Sequence, residues 1–307
     1  IGTLALPFGF HPRRLDALLE DAHYYTEAPE LGDPLLFFRA PPTGLEIQRH
    51  TPRAPYYHPR RGTCWDLTFQ SPYQPVNPRE RGAFASMKAN RTAHARYWRH
   101  DGAPRPTLVV VHGFSADPYW LNEWLFDLPQ FYKMGCDVLL FTLPFHGSRK
   151  GRMAPFSGHG FFAGGIARIN EAFGQAIHDL RVFIEYLLHT QGAPRVGITG
   201  LSLGGYTASL LACIEPRLAF AIPTVPLVSI PDLVLEWKPL DRVARKLMQR
   251  TERGLVDFRH FMAVSSALSY APVIDKRRLM IVGAVGDRVA PPKHARKYWK
   301  VFTKTTR

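Results

Sequence analysis

The stretch VGITGLSLGGYTASLLA, residues 196–212, decides the reading of this chain. A run of β-branched residues leads into Ser202, a small-residue helical pattern follows it, and glycines stand two positions away on either side, at 200 and 204. A serine on a sharp turn between a strand and a helix holds its hydroxyl above the sheet, and the crowding leaves no room for side chains at those two flanking positions. The helix start also aims backbone N–H groups and a positive dipole end at negative charge developing beside Ser202. From these residues alone a tight Gly-rich turn with an incidental serine stays open.

Working outward, short β-rich apolar runs recur at TLVVV (107–111), DVLLFT (137–142), RVGIT (195–199), LAFAI (218–222) and LMIV (279–282). Helical patterns separate them. Ile166, Ile169, Phe173, Ile177, Leu180, Phe183 and Leu187 fall at three- and four-residue steps and predict one long amphipathic helix. Asp117-Pro118 reads as a capped helix start, and Pro291-Pro292 opens another helix. Alternating strands and helices imply parallel strands joined by crossovers. The fold class is therefore α/β: a doubly wound, mostly parallel sheet with helices on both faces.

Upstream, CWDLTFQSPYQ and TAHARYWRH predict a pair of antiparallel strands at a sheet edge. RRLDALLEDAHYY carries a helical pattern, and APPTGLEIQRHTPRAPYYHPRRG reads as irregular. The expected organisation is an N-terminal helical and irregular extension over 1–60 and one α/β domain over 61–307. Residues 228–270 are expected to form a helical insertion over the C-terminal edge of the sheet.

At 46% hydrophobic and 21% charged residues, the 307-residue chain is too apolar for disorder. Its longest apolar stretch, Leu218 to Trp237, is broken by Pro223, Pro226, Pro231 and Asp232, so no transmembrane helix is expected. Cys64, Cys136 and Cys213 are odd in number and far apart, which favours a reducing, cytoplasmic setting over a disulfide framework. The start, IGTLALPFGF, reads as cut from something longer. A net charge of +14 favours anionic partners or is simply a solvated basic surface. RNA-binding and zinc-finger signatures are absent, so no nucleic-acid partner is expected. The thirteen histidines show no zinc-type spacing and no H-E-x-x-H, so no metal is expected.

After TLVVV, the glycine of His112-Gly113-Phe114 allows a turn that frees the Phe114 N–H as one arm of an oxyanion hole, with the Leu203 N–H as the other. VVVHGF, GLSLGG and VGAVGDRVAPP together resemble the α/β-hydrolase superfamily over about residues 60–307. The resemblance implies a serine hydrolase in which Ser202 attacks a carbonyl, a histidine takes its proton and Asp287 orients that histidine, with no cofactor. Asp287 also reads as a turn or capping aspartate ahead of Pro291, and Asp232 is the alternative acid.

LLFTLPFHGSRKG occupies the place where many members carry a proline, glycine, histidine and glycine loop, with Phe145 where the first glycine usually stands. Together with PFSGHGFFAGG it resembles a narrower branch, α/β-hydrolase domain-containing protein eighteen and its bacterial relatives. His146 and His159 are then loop-structuring residues.

The resemblance further implies a carboxylic ester substrate, small-molecule or lipid. Thioesters, amides and acyl transfer share the same tetrahedral chemistry, and a non-catalytic binding scaffold is the alternative of another class. An anionic lipid ester would be met through LVLEWKPL (233–240), unless that segment packs inward as a cap. In hydrolase chain order the base follows Asp287 after another helix and strand. The one later histidine, His294, reads as a solvated helix residue. The expectation is a fragment without its last strand and catalytic histidine, with the preceding strand an unpaired sheet edge and with little or no esterase activity of its own.

Overall fold

TLVVV and DVLLFT lie side by side at the centre of one sheet, buried along their whole length, as strands covered by helices on both faces must be. The computed structural model describes residues 20–52, 55–236, 255–287 and 290–305. In chain order its strands are β1 (Gln48–His50), β2 (Gly62–Gln70), β3 (Thr92–His100), β4 (Thr107–Val111), β5 (Asp137–Thr142), β6 (Val196–Leu201) and β7 (Leu218–Thr224). The helices are α1 (His23–Leu31), α2 (Pro78–Ser86), α3 (Tyr119–Leu125), α4 (Leu128–Lys133), α5 (His159–Phe162), α6 (Ile166–Glu185), α7 (Leu203–Leu211), α8 (Ile230–Glu236), α9 (Leu255–Met262) and α10 (Pro292–Thr305).

The spatial order is β1-β2-β3-β5-β4-β6-β7. β5, β4, β6 and β7 run parallel, while β1, β2 and β3 are antiparallel to their neighbours. The expected mostly parallel α/β sheet is thus present, with two differences at its margins. β2 and β3 do not form the edge: β3 pairs with β5, and β1, inside the stretch read as irregular, lies outside β2.

At the other margin LMIV is not a continuous strand. It joins β7 through two isolated parallel bridges, Ala221 to Leu279 and Thr224 to Val282. Met280 N–H donates to Ala221 O and Val282 N–H to Pro223 O, but Pro223 has no N–H to return between them.

The amphipathic helix appears as α6, with the predicted apolar residues buried. Its opposite side is buried too, because the N-terminal segments cover it. Glu171, on that side, accepts from the Tyr25 and Tyr73 hydroxyls and from the Val76 and Asn77 amides. Four donors replace the water that a buried carboxylate loses.

Asp117 does not cap α3; Pro118 holds the N-cap position with no side-chain bond, and among the described residues Asp117 Oδ1 has no hydrogen-bond partner. α10 does begin at Pro292. The helical insertion is described only at its ends, α8 and α9. Trp237–Leu240 of LVLEWKPL lies outside the described residues, as does the first half of RRLDALLEDAHYY.

Candidate active site

Strand registers bring Val111, Phe141, Gly200 and Pro223 level across the parallel block, so the exits of β4, β5, β6 and β7 open on one end of the sheet. Each exit passes through a non-glycine residue in the left-handed region: Ser115 (φ 56°), Phe145 (φ 64°), Ser202 (φ 54°) and Val225 (φ 47°). Among the described residues only Asp127 shares that property. Such conformations cost about 1–3 kcal/mol each and gather where surrounding structure over-determines the backbone.

Ser202 sits at the N-cap of α7 with φ 54° and ψ −109°. Its N–H donates to Thr224 O at 3.0 Å, fixing the turn against β7. The glycines around it are required by space. A Cβ on Gly200 would stand 3.0 Å from Gly204 Cα, and one on Gly204 would overlap Val111 O. A Cβ on Gly205 would reach 2.6 Å from Thr224 O.

The His112-Gly113-Phe114 turn lies directly beside this elbow, since a Cβ on Gly113 would be 3.8 Å from Ser202 Cβ. His112 is buried and bonded at both ring nitrogens. Nε2 accepts from the Leu143 N–H at 3.1 Å, so Nδ1 carries the proton and donates to Gly113 O at 2.7 Å. Ala116 N–H donates to the same carbonyl at 3.2 Å. Because a trans peptide points its C=O and N–H in opposite directions, anchoring Gly113 O also fixes where the Phe114 N–H points. Among the described residues, neither the Phe114 nor the Leu203 amide donates to another protein group.

Loops 144–149 and 156–160 complete this end. Ser115 Oγ donates to Ser157 O at 2.6 Å, and Gly147 N–H donates to Ser157 Oγ at 3.0 Å. Phe114 meets Phe156, Phe162 and His146 edge-on. His146 is fully buried with Nδ1 bonded to Pro144 O at 2.8 Å, in keeping with a loop-structuring role. Burial, then the neighbouring His112, pushes its pKa down to about 3. His159 packs on Phe156.

Asp287 lies five residues past Val282, whose bridge to Thr224 puts it at the same sheet end. Its Oδ1 accepts from the Ala290 N–H at 2.8 Å, the turn role that its sequence also allowed. Asp232, the alternative acid, is held by Arg259 and by Lys297 at 3.0 Å. Burial acts to raise its pKa, but these partners win and pull it down to about 2. His294 is not the solvated residue expected; it is 3% exposed, because α10 turns the face carrying His294, Tyr298 and Phe302 inward.

Sequence alone gives neither His112 nor Ser157 a task. The signal for His112 was its place beside Gly113, whereas nothing local marks Ser157.

The family model for the alpha/beta hydrolase fold matches residues 106–261. An uncharacterized protein of Mycobacterium tuberculosis is 28% identical over 285 residues, which is 88% of this chain and 63% of that protein. The chain thus spans less than two thirds of the curated relatives it matches. Acetyl xylan esterase 1 of Thermoanaerobacterium sp. JW/SL YS485 superposes with TM-score 0.63 at 16% identity, covering 92% of this chain and 88% of that one. The acetyl xylan esterase of Paenibacillus sp. R4 gives 0.58 at 16%, covering 85% and 80%. An acylaminoacyl peptidase of Pyrococcus horikoshii gives 0.51 at 14%, covering 79% and 40%. At these identities the structural likeness speaks for the fold, and the narrower resemblance to the branch numbered eighteen gains nothing from it. With its parallel block, serine elbow and neighbouring turn all inside the matched span, the chain belongs to the alpha/beta hydrolase fold family.

Proposed function

We propose that the protein is a serine hydrolase that cleaves carboxylic esters through an acyl-enzyme on Ser202. The observation that carries this reading is Ser202 itself, held at φ 54° between β6 and α7 with the His112-Gly113-Phe114 turn alongside. Ser202 Oγ attacks the ester carbonyl carbon and gives up its proton to a histidine. The carbonyl oxygen becomes the oxyanion, received by the Phe114 and Leu203 N–H groups. The tetrahedral intermediate collapses, the C–O bond to the alcohol breaks, and the alcohol leaves with the proton. Water then repeats the attack on the acyl-enzyme and restores Ser202.

Asp287 is the carboxylate assigned to orient the histidine; the ion pairs of Asp232 with Arg259 and Lys297 speak against that acid. His294 follows Asp287 within this chain, and its burial in α10 speaks against it as the base. Turnover that disappears in His294→Ala would reverse that assignment.

The deciding experiment is fluorophosphonate labelling with a p-nitrophenyl ester panel of short and long acyl chains, on wild type and Ser202→Ala. Labelling should vanish in the variant, and any turnover should fall on the order of 10⁴-fold or more. Equal labelling in both proteins removes Ser202 from the role. A wild-type protein that never reacts with the probe favours the binding-scaffold reading.

A further inference from the structure

The surface beside the oxyanion turn carries an apolar patch that the hydrolase reading does not use. α3 starts five residues after Phe114 and turns Trp120 and Trp124, four residues apart, to one side of the helix. They are 59% and 66% exposed. Tyr56, 63% exposed, lies on a segment tied to α3 through its neighbour: Tyr57 N–H donates to Glu123 Oε2 at 2.7 Å, while the Tyr57 carbonyl accepts from Trp98 Nε1–H on β3.

The helix cannot roll to hide its tryptophans. Its inner face is an ionic anchor, not an apolar one. Buried Glu123 pairs with Arg96, Arg96 also grips Asp66 at 2.7 Å, and its guanidinium lies 4.5 Å over the Tyr119 ring. Rotating α3 inward would break these contacts and strand Glu123 without its cation.

The two tryptophans on one helix face, together with Tyr56, leave on the order of 400 Å² of aromatic surface in water. Arg60 and Arg61 are exposed on the same segment as Tyr56, with the Arg61 carbonyl accepting from the Tyr132 hydroxyl of α4, and Lys133 is exposed on α4. The acidic residues of the same segments are Glu123, already paired, and exposed Asp127.

We infer that the patch formed by Tyr56, Trp120 and Trp124, with Arg60, Arg61 and Lys133 at its rim, docks this protein on an anionic lipid bilayer. Tryptophan and tyrosine with arginine are the residues that settle at the headgroup boundary. Charge selects this occupant over a second copy, since another chain of +14 would be repelled while an anionic surface attracts. The site moves the expected lipid contact from LVLEWKPL to the α3 side of the sheet, with Arg61 toward the end where β5 begins.

The test is co-sedimentation of the whole chain with phosphatidylcholine vesicles, with and without phosphatidylglycerol, at low and high salt. Binding and a blue-shifted tryptophan emission should require phosphatidylglycerol and weaken with salt. Trp120→Ser with Trp124→Ser should lower partitioning by about tenfold or more. Arg60→Gln and Arg61→Gln should each lower it roughly fivefold. Bromine-labelled lipid should quench the wild-type tryptophans, a readout that needs no variant.

No binding to either vesicle, or binding untouched by the tryptophan pair, overturns the inference. So does a wild-type dimer in light scattering that the tryptophan pair converts to monomer, which would make a second copy the occupant. Ser202→Ala separates the two readings: it should lose fluorophosphonate labelling and bind vesicles like wild type. Fluorophosphonate labelling of Ser202 without vesicle binding removes the docking surface alone, and vesicle binding by a protein that never labels removes the catalytic reading alone.

Discussion

Gly204→Ala puts the packing around Ser202 under direct strain. The added Cβ overlaps Val111 O and stands 2.7 Å from His112 O. A carbon–oxygen contact needs about 3.4 Å, so even the more distant carbonyl must retreat by about 0.7 Å. Both obstacles are main chain, and no rotamer relieves them. Overpacking of a core costs about 1–3 kcal/mol, occasionally more, and a clash with a central strand belongs at the upper end, about 3 kcal/mol. In a chain of this size that lowers Tm by roughly 5 °C.

The displaced backbone also carries the turn to Phe114, so the N–H proposed as an oxyanion donor shifts by a substantial fraction of an ångström. Misplacement of about 1 Å is worth on the order of 10²-fold in rate. Thermal and urea unfolding followed by circular dichroism, together with the fluorophosphonate labelling rate, measure the two effects. Gly82→Ala is the control, because a Cβ there meets nothing within 4 Å and a helix favours alanine. If Gly204→Ala matches wild type in stability and labelling, the elbow is not packed against β4 as described.

Removing His112 as His112→Ala leaves the buried Leu143 N–H without its acceptor and Gly113 O with the Ala116 N–H but no imidazole; urea unfolding should show a loss of about 2–4 kcal/mol, and the fluorophosphonate labelling rate should fall. Arg149→Leu abandons the buried charge of Asp179, to which Arg149 bonds at 2.7 Å, and should cost about 3–5 kcal/mol; adding Asp179→Leu should recover much of it in a double-mutant cycle. His146 titrates near 3 when folded and near 6.5 when unfolded, so the unfolded chain binds the extra proton first: its stabilisation is full above about pH 6.5 and is lost as the pH falls toward 3. Tm followed from neutral to acid pH should drop less steeply in His146→Phe than in wild type.

The parallel block was legible because its information is local. β4, β5 and β6 each announce themselves as short apolar runs, and the glycines at 200 and 204 state a steric need that the coordinates repeat. LMIV fails as a strand for a reason that sits in another segment, the missing N–H of Pro223. The burial of Asn170, Glu171, Gln175 and Asp179 on α6 was equally invisible, since the groups that satisfy Glu171 come from residues 25 and 73–77. His294 shows the same limit. A histidine among lysines reads as solvated until the turn of α10 decides which side faces in.

Phe145 shows how the fold overrides a residue's preference. The sequence marked it as a departure where relatives in the superfamily carry glycine, and the structure holds it at φ 64° with its ring buried. The position demands the left-handed backbone whatever residue occupies it. Four such exits, at about 1–3 kcal/mol each, amount to strain on the order of the whole net stability of a domain. They persist because each is tied beyond its own strand: Ser115 to Ser157, Phe145 N–H to Asn90 Oδ1 at 2.9 Å, Ser202 N–H to Thr224 O at 3.0 Å and Val225 N–H to Val282 O at 2.6 Å. Each tie joins loops or strands distant in sequence, so the strain is offset by tertiary structure and vanishes when the chain unfolds. Relaxing any one exit would let its loop move relative to the Ser202 turn, and this places the cost of preorganising the candidate site in the fold's stability instead of in the reaction barrier.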